Sequence, residues 1–399
     1  MMEKQVIPVN PTLLQWARQT AGLSLRDAAL RAGITPPRRK KGEPSLSPED
    51  RLLAWEHGEE TPTMAQLSDI AKAYRRPLVT FFLSEPPQNV SPLADFRTVQ
   101  NAAPQESPEF SALKRRIFLL HRELCAIAKE ENTPNLPFVG SCKVSDGVVK
   151  IVASLRQHLG MDTGIMEEVG HGDFFTWLRD RTQQLGIYVV LMGDLGSHHT
   201  RIDPEEFRGI AIADAQVPLV VVNKNDAKAA MLFTLAHELA HLWLGASGVS
   251  NANAFASVHD HKKDEVFCNA VAAEFLVPQD ALQQAWPGHT DDLPQSVKLL
   301  SRKFRVSEEV IARRLADIGI VSAAEYSELL RMYQARWHKQ KEKNKGTSGG
   351  PDSNTLARYW LGHKTLTTLM RATNAGLITM QDAARTINMS ASRFARVAE

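Results

Sequence analysis

Met231-Leu-Phe-Thr-Leu-Ala-His237-Glu238-Leu-Ala-His241-Leu-Trp-Leu244 is an apolar run with the string H-E-x-x-H at its centre. On a helix, positions i and i+4 share one face, a turn apart. His237 and His241 then offer two imidazoles to one metal ion, with Glu238 beside them to take a proton. A chance string need neither lie on an apolar helix nor be followed by a third ligand. Asn223-Lys-Asn-Asp226, just upstream, is expected to cap the helix.

A hydrolytic zinc site takes three protein ligands and keeps one position open. Asp264-Glu-Val-Phe-Cys-Asn-Ala-Val-Ala-Ala-Glu-Phe-Leu-Val-Pro278 supplies carboxylates for the third. Val266, Ala270, Ala273 and Leu276 recur at helical spacing, and Pro278 ends the helix. Glu265, in the first turn, competes with Glu274, near the last, and spacing does not choose between them. A solvated helix carboxylate is the ordinary state of either. His259 and His261, in the loop before the helix, are rival ligands. Cys268 reads as a small core thiol.

These two segments, Thr234 to His241 and Glu265-x-x-Cys268-Asn269 onward to Pro278, resemble the ImmA/IrrE family of metallopeptidases. Phe207-Arg-Gly-Ile-Ala-Ile-Ala213 and Leu219-Val-Val-Val-Asn223 are similar to the two strands that precede the active-site helix in that family. The likeness runs over roughly 185 to 320 and includes Ser301 to Ile318, with a helix start at Val306-Ser307. It implies a zincin that cuts helix-turn-helix repressors, with Glu265 as the third zinc ligand and Glu274 outside the ligand set. One Zn2+ held by His237, His241 and Glu265 would bring the pKa of its water towards about 7. Glu238 would act as general base and then protonate the leaving amine. Tyr188, His198 and His199 are candidate contacts to substrate or oxyanion.

The chain has 399 residues, 43% hydrophobic and 23% charged, with a net charge of +2. Such values fit a globular chain of two or three domains and say nothing of nucleic acid. Three cysteines are too few for a disulfide framework. No run of 18 apolar residues and no basic-then-apolar leader occurs, so a cytoplasmic protein without a membrane partner is expected.

Residues 1–84 read as a five-helix module. Asn10 to Gly22 reads as a helix ended by Gly, and Ser24 caps a second that ends at Gly33; Ser47 to Gly58, Thr63 to Tyr74 and Pro77 to Leu83 follow. With Trp55-Glu56-x-Gly58, Pro62 and Arg76-Pro77-x-x-x-Phe81-Phe82, the module resembles an Xre-type helix-turn-helix. It departs from that pattern at Thr35-Pro-Pro-Arg-Arg-Lys-Lys-Gly-Glu-Pro-Ser-Leu46, an insertion ahead of the recognition helix. Pro48-Glu49-Asp50 then open that helix, where carboxylates would face phosphate. Arg38, Arg39, Lys40 and Lys41 are candidate phosphate contacts that read no sequence. Basic residues number 12 against 9 acidic over this stretch, a weak balance for a DNA binder.

Residues 85–144 read as a proline-rich linker followed by a bracing helix, Ser111 to Glu131, with Leu113, Ile117, Leu120 and Leu124 on one stripe. Asp95-Phe96-Arg97 resembles a stretch that recurs in family members of this arrangement. A metallopeptidase domain is expected over 145–335, with helices at Val148 to Leu159 and Gly172 to Leu185. Its three strands are expected at Ile187 to Met192, Gly209 to Ala213 and Leu219 to Val222, with an exposed edge able to pair with substrate. A flexible basic linker (336–350) and a helical tail (351–399) complete the chain. The fold class is therefore α+β and mostly helical. The function implied is a zinc endopeptidase acting on a helix-turn-helix repressor. The rival is a DNA-binding regulator of phage-repressor or antitoxin type, whose protease-like domain senses or binds a partner.

Overall fold

The computed structural model describes residues 9–36, 47–87, 94–95, 106–161, 173–250, 263–288, 292–343 and 352–398. It divides into two compact units: Met1–Ser91 with Pro104–Phe118 and Asp194–Ile202, and Pro92–Ala103 with Leu119–Gly193 and Asp203–Glu399. Among the described residues it is mostly helical with one small mixed sheet, an α+β arrangement.

In the first unit, α1 (Pro11–Thr20), α2 (Leu25–Arg31), α3 (Pro48–His57) and α4 (Met64–Ala73) each begin at a polar cap. Asn10, Ser24, Ser47 and Thr63 accept from backbone N–H groups that the first turn leaves without a partner. A 3-10 turn, Leu78–Phe82, stands where a fifth α-helix was expected. Leu14, Leu52, Trp55, Leu67, Ile70 and Phe81 form the core. Arg18 grips the buried Glu56 carboxylate through two bonds of 2.7 and 2.9 Å. The Asp50 carboxylate accepts from the Ser47 N–H and hydroxyl, so it closes a capping box. Arg38, Arg39, Lys40 and Lys41 lie outside the described residues.

Helix α5 (Pro108–Glu130) follows, its first part in the first unit and its remainder, from Leu119, in the second. Leu113, Ile117, Leu120 and Leu124 are all fully buried, as the stripe required. The second unit continues with α6 (Val148–His158), α7 (Phe174–Gln184), α8 (Lys228–Leu244), α9 (Lys263–Leu276), α10 (Gln279–Ala285), α11 (Leu293–Phe304), α12 (Glu308–Asp317) and α13 (Ala323–Lys343). The C-terminal segment is α14 (Ser353–Leu361), α15 (His363–Asn374), α16 (Met380–Thr386) and α17 (Ala391–Ala398).

Five strands form the sheet: β1 (Ala94–Asp95), β2 (Tyr188–Met192), β3 (Gly209–Ile212), β4 (Leu219–Asn223) and β5 (Gly248–Ser250). Their order is β1-β5-β3-β4-β2. β2 runs parallel to β4, β3 antiparallel to β4 and β5, and β1 parallel to β5. Three of these were expected. β1 lies within what read as linker, and β5 follows the H-E-x-x-H helix; two and three residues are too short to show a period. Side chains alternate across the sheet, so Val189, Leu191, Ala211, Val220 and Val222 share the core with α8.

One boundary differs from expectation. α13 runs to Lys343 through residues expected to begin a linker at 336. Lys, Gln, Glu and Arg are good helix formers without any apolar stripe, and Arg336 pairs with Glu308 at 2.7 Å. The C-terminal helical segment is present as expected, and its α14 and α15 pack on β2.

Candidate metal centre

α8 begins without a side-chain cap: Ala227, not the expected Asn223–Asp226 stretch, is its N-cap. The polar residues ahead of it are spent on the strand-to-helix turn. Asn223 Nδ2 donates to the Phe207 carbonyl at 3.0 Å, and Asp226 pairs with Arg208 at 3.2 Å. Gly245 closes the helix in the left-handed conformation (φ 70°). Every residue from Met231 to Trp243 is buried, the signature of a helix in the middle of a core. Each large apolar side chain there contributes about 1.5–3 kcal/mol, which offsets the several kcal/mol that burying each charged group costs.

α9 turns its buried face to α8, and that face is not the expected one. Glu265, Cys268, Val271, Ala272, Phe275 and Leu276 are buried, whereas Val266, Ala270 and Ala273 are only partly so. The face is rotated because Glu265 and Cys268 belong to it, and an apolar count cannot include a carboxylate. Glu265 is 2% exposed. Its carboxylate lies 3.0 Å from His241 Nε2 and 3.4 Å from His237 Nε2, and the two imidazole nitrogens are 3.0 Å apart. Glu274 is instead half-buried and paired with Arg314, on α12. His259 and His261 fall outside the described residues.

The donor set fits a divalent cation. The two imidazole nitrogens and a carboxylate oxygen all lie within 4.8 Å of one another, fully buried. Three electron-pair donors converging without a cation repel, and one divalent ion satisfies all three. Glu238 Oε2 is buried without a hydrogen-bond partner among the described residues, as expected of a place built around something more than its side chains.

Glu238 is the fourth member. Burial pushes its carboxyl up to about 8, against the opposing influence of His241 and of a hydrogen bond from Ser250. Glu265 goes the other way: burial alone would raise it, but the flanking imidazoles hold it well below the usual carboxylate range. Burial, then the Glu265 and Glu238 carboxylates, push the Cys268 thiol well above its ordinary value, so it stays a neutral packing group.

Two residues escaped the sequence reading. Ser250, fully buried on β5, donates its hydroxyl to Glu238 Oε1. Gly209, its register partner on β3, is needed for room: a Cβ there would lie 2.1 Å from Glu238 Oε1 and 2.7 Å from the Thr234 methyl. A serine ending a three-residue strand carries no local signal of this, and the glycine becomes legible only once the helix lies on the strand.

Of the candidate substrate contacts, Tyr188 is turned away from this centre. Alternation along β2 puts Tyr188 on the sheet face opposite α8, where its hydroxyl meets Thr368 Oγ1 at 3.3 Å. His198 and His199 belong to the first unit, exposed in a 3-10 turn with ring centroids 3.8 Å apart and ring planes tilted by 41°.

Comparison with curated proteins finds no match. Comparison with known families matches residues 182–316 to the IrrE N-terminal-like domain, Peptidase_M78. That segment carries His237, Glu238, His241, Ser250 and Glu265 together, and the match supports the ImmA/IrrE family, a metallopeptidase-type family that implies a bound metal.

Proposed function

We propose that this chain is a zinc-dependent endopeptidase of the cell interior, with His237, His241 and Glu265 as ligands of one zinc ion and Glu238 as general base. The observation that carries this reading is the convergence of two imidazole nitrogens and one carboxylate beside a second, buried carboxylate with an unpartnered oxygen. A structural zinc site is closed by its fourth ligand and needs no base. A bound zinc ion would supply Lewis acidity, acidifying water and polarising the scissile carbonyl.

Glu238 accepts the proton that hydrolysis removes from water and returns it to the leaving amine. Its burial makes it a stronger base than a solvated carboxylate. The Ser250 hydroxyl fixes Oε1 and leaves Oε2 to handle the proton. Gly209 keeps the strand close enough for that arrangement. The substrate class, a helix-turn-helix repressor, follows from the resemblance to ImmA/IrrE peptidases.

N-terminal proteomics on host cells expressing the wild-type chain or Glu238→Gln tests the proposal. New N-termini confined to the wild type, within a helix-turn-helix protein, are expected and would name the target. Identical profiles, with zinc bound in both, would overturn the peptidase and leave the DNA-binding regulator. That alternative requires a salt-dependent DNA shift by the full chain that Arg38, Arg39, Lys40 and Lys41 support.

A further inference from the structure

Among the described residues, one other group has the donor types and closeness of a metal site: His121, Cys125 and Asp214, with donor atoms all within 4.8 Å. His121 and Cys125 stand four residues apart on α5, so they share a face. Asp214 sits in the turn between β3 and β4, far away in sequence. All three are partly accessible, so an ion can reach them.

The surroundings fix the donors as a metal site requires. His121 Nε2 lies 3.0 Å from the Val217 carbonyl. A carbonyl only accepts, so Nε2 carries the proton and the neutral ring keeps its lone pair on Nδ1. A backbone carbonyl holding the far ring nitrogen is the usual partner of a metal-bound histidine. Asp214 Oδ1 accepts from the backbone N–H groups of Gln216 at 2.9 Å and Val217 at 2.8 Å, which anchors the carboxylate and leaves Oδ2. Cys125 Sγ stands 3.8 Å from His121 Nδ1 and 3.6 Å from Nε2. Bond lengths of about 2.0 and 2.3 Å at a tetrahedral zinc put sulfur and nitrogen roughly 3.5 Å apart.

We propose that His121, Cys125 and Asp214 form a second site for a thiolate-preferring divalent cation such as Zn2+, a clip that ties α5 to the β3–β4 turn. Binding replaces the Cys125 thiol proton, which leaves to solvent, by a metal–sulfur bond. Burial and Asp214 hold that thiol up at about 11, so without the ion it stays protonated. The site needs none of the residues of the peptidase centre and stands or falls separately from it.

Cys125 is the one partly accessible thiol, Cys142 and Cys268 being buried, so alkylation with mass mapping reads this site alone. Adding Zn2+ to the metal-free full chain should slow Cys125 alkylation at least about tenfold. The same addition to His121→Asn or Asp214→Asn should not. Zinc content after desalting should be about one ion per chain higher in the wild type than in Cys125→Ser. Zinc-independent alkylation in a wild-type chain that keeps its thermal transition would overturn the proposal. So would equal protection in both variants.

Discussion

Glu238 is held from two sides, by a hydroxyl it accepts from and by a strand with no side chain in its way. Ser250→Ala removes the donor and leaves Oε1 unsatisfied, a loss of about 1–3 kcal/mol. We predict a drop of about tenfold or more in kcat, with zinc content unchanged, measured on the target that proteomics names. Gly209→Ala drives a methyl into the carboxylate and Thr234. It should abolish cleavage and destabilise the fold by about 1–3 kcal/mol in a denaturant titration. The two acidic candidates on α9 separate in the same way: Glu265→Ala should lose the zinc of this centre. Glu274→Ala, which breaks only the pair with Arg314, should keep it. The opposite outcome by atomic emission would reverse the ligand assignment.

At the scale of elements, burial of α8 decides both the site and its pH response. Glu238 titrates near 8 when folded and metal-free, against 4.5 for the ordinary group. Between these values the folded state holds more protons than the unfolded one. The contribution is full below about 4.5 and is lost as pH rises through 8. Glu265 is held below 4.5 when folded, so its contribution is present above that pH and lost on acidification. The Tm of the chelated wild-type chain should therefore fall relative to chelated Glu238→Gln as pH rises from about 5 to 8. A pH-independent difference between them would show that Glu238 is not buried as described. α9 illustrates why helical periodicity alone misplaces a face: its apolar residues fit more than one stripe, and the stripe that is buried contains a carboxylate and a thiol.

At the scale of the whole molecule, the C-terminal helices belong to the second unit. Buried Arg179, on α7, donates to the carbonyls of Val189, Tyr359 and Trp360 and so links α7, β2 and α14. Gly362 lies where a Cβ would touch that guanidinium at 2.8 Å. Removing residues 352–399 would strip the Tyr359 and Trp360 carbonyls from Arg179 and bare the β2 face that carries Tyr188. We predict a chain that aggregates or loses its cooperative transition, even though His237, His241 and Glu265 are all retained. A soluble, zinc-replete product with an unchanged Tm would show the helices to be an appendage. No helix among the described residues is long and apolar enough to cross a membrane.

Some of this was legible in the sequence because the physics is local. The i, i+4 spacing of His237 and His241, the apolar run around them, the Ser24 cap of α2 and the stripe of α5 each concern neighbours within a turn or two of helix. β3 and β4 were visible as apolar stretches of ordinary length. Only the tertiary structure set Glu265, and not Glu274, beside the two imidazoles, turned Tyr188 away from the centre, and brought Ser250 and Gly209 to Glu238. It alone put Asp214 beside His121 and Cys125, and paired β1 with β5. Each of these depends on which face of one element meets another distant in the chain, and local spacing leaves that choice open.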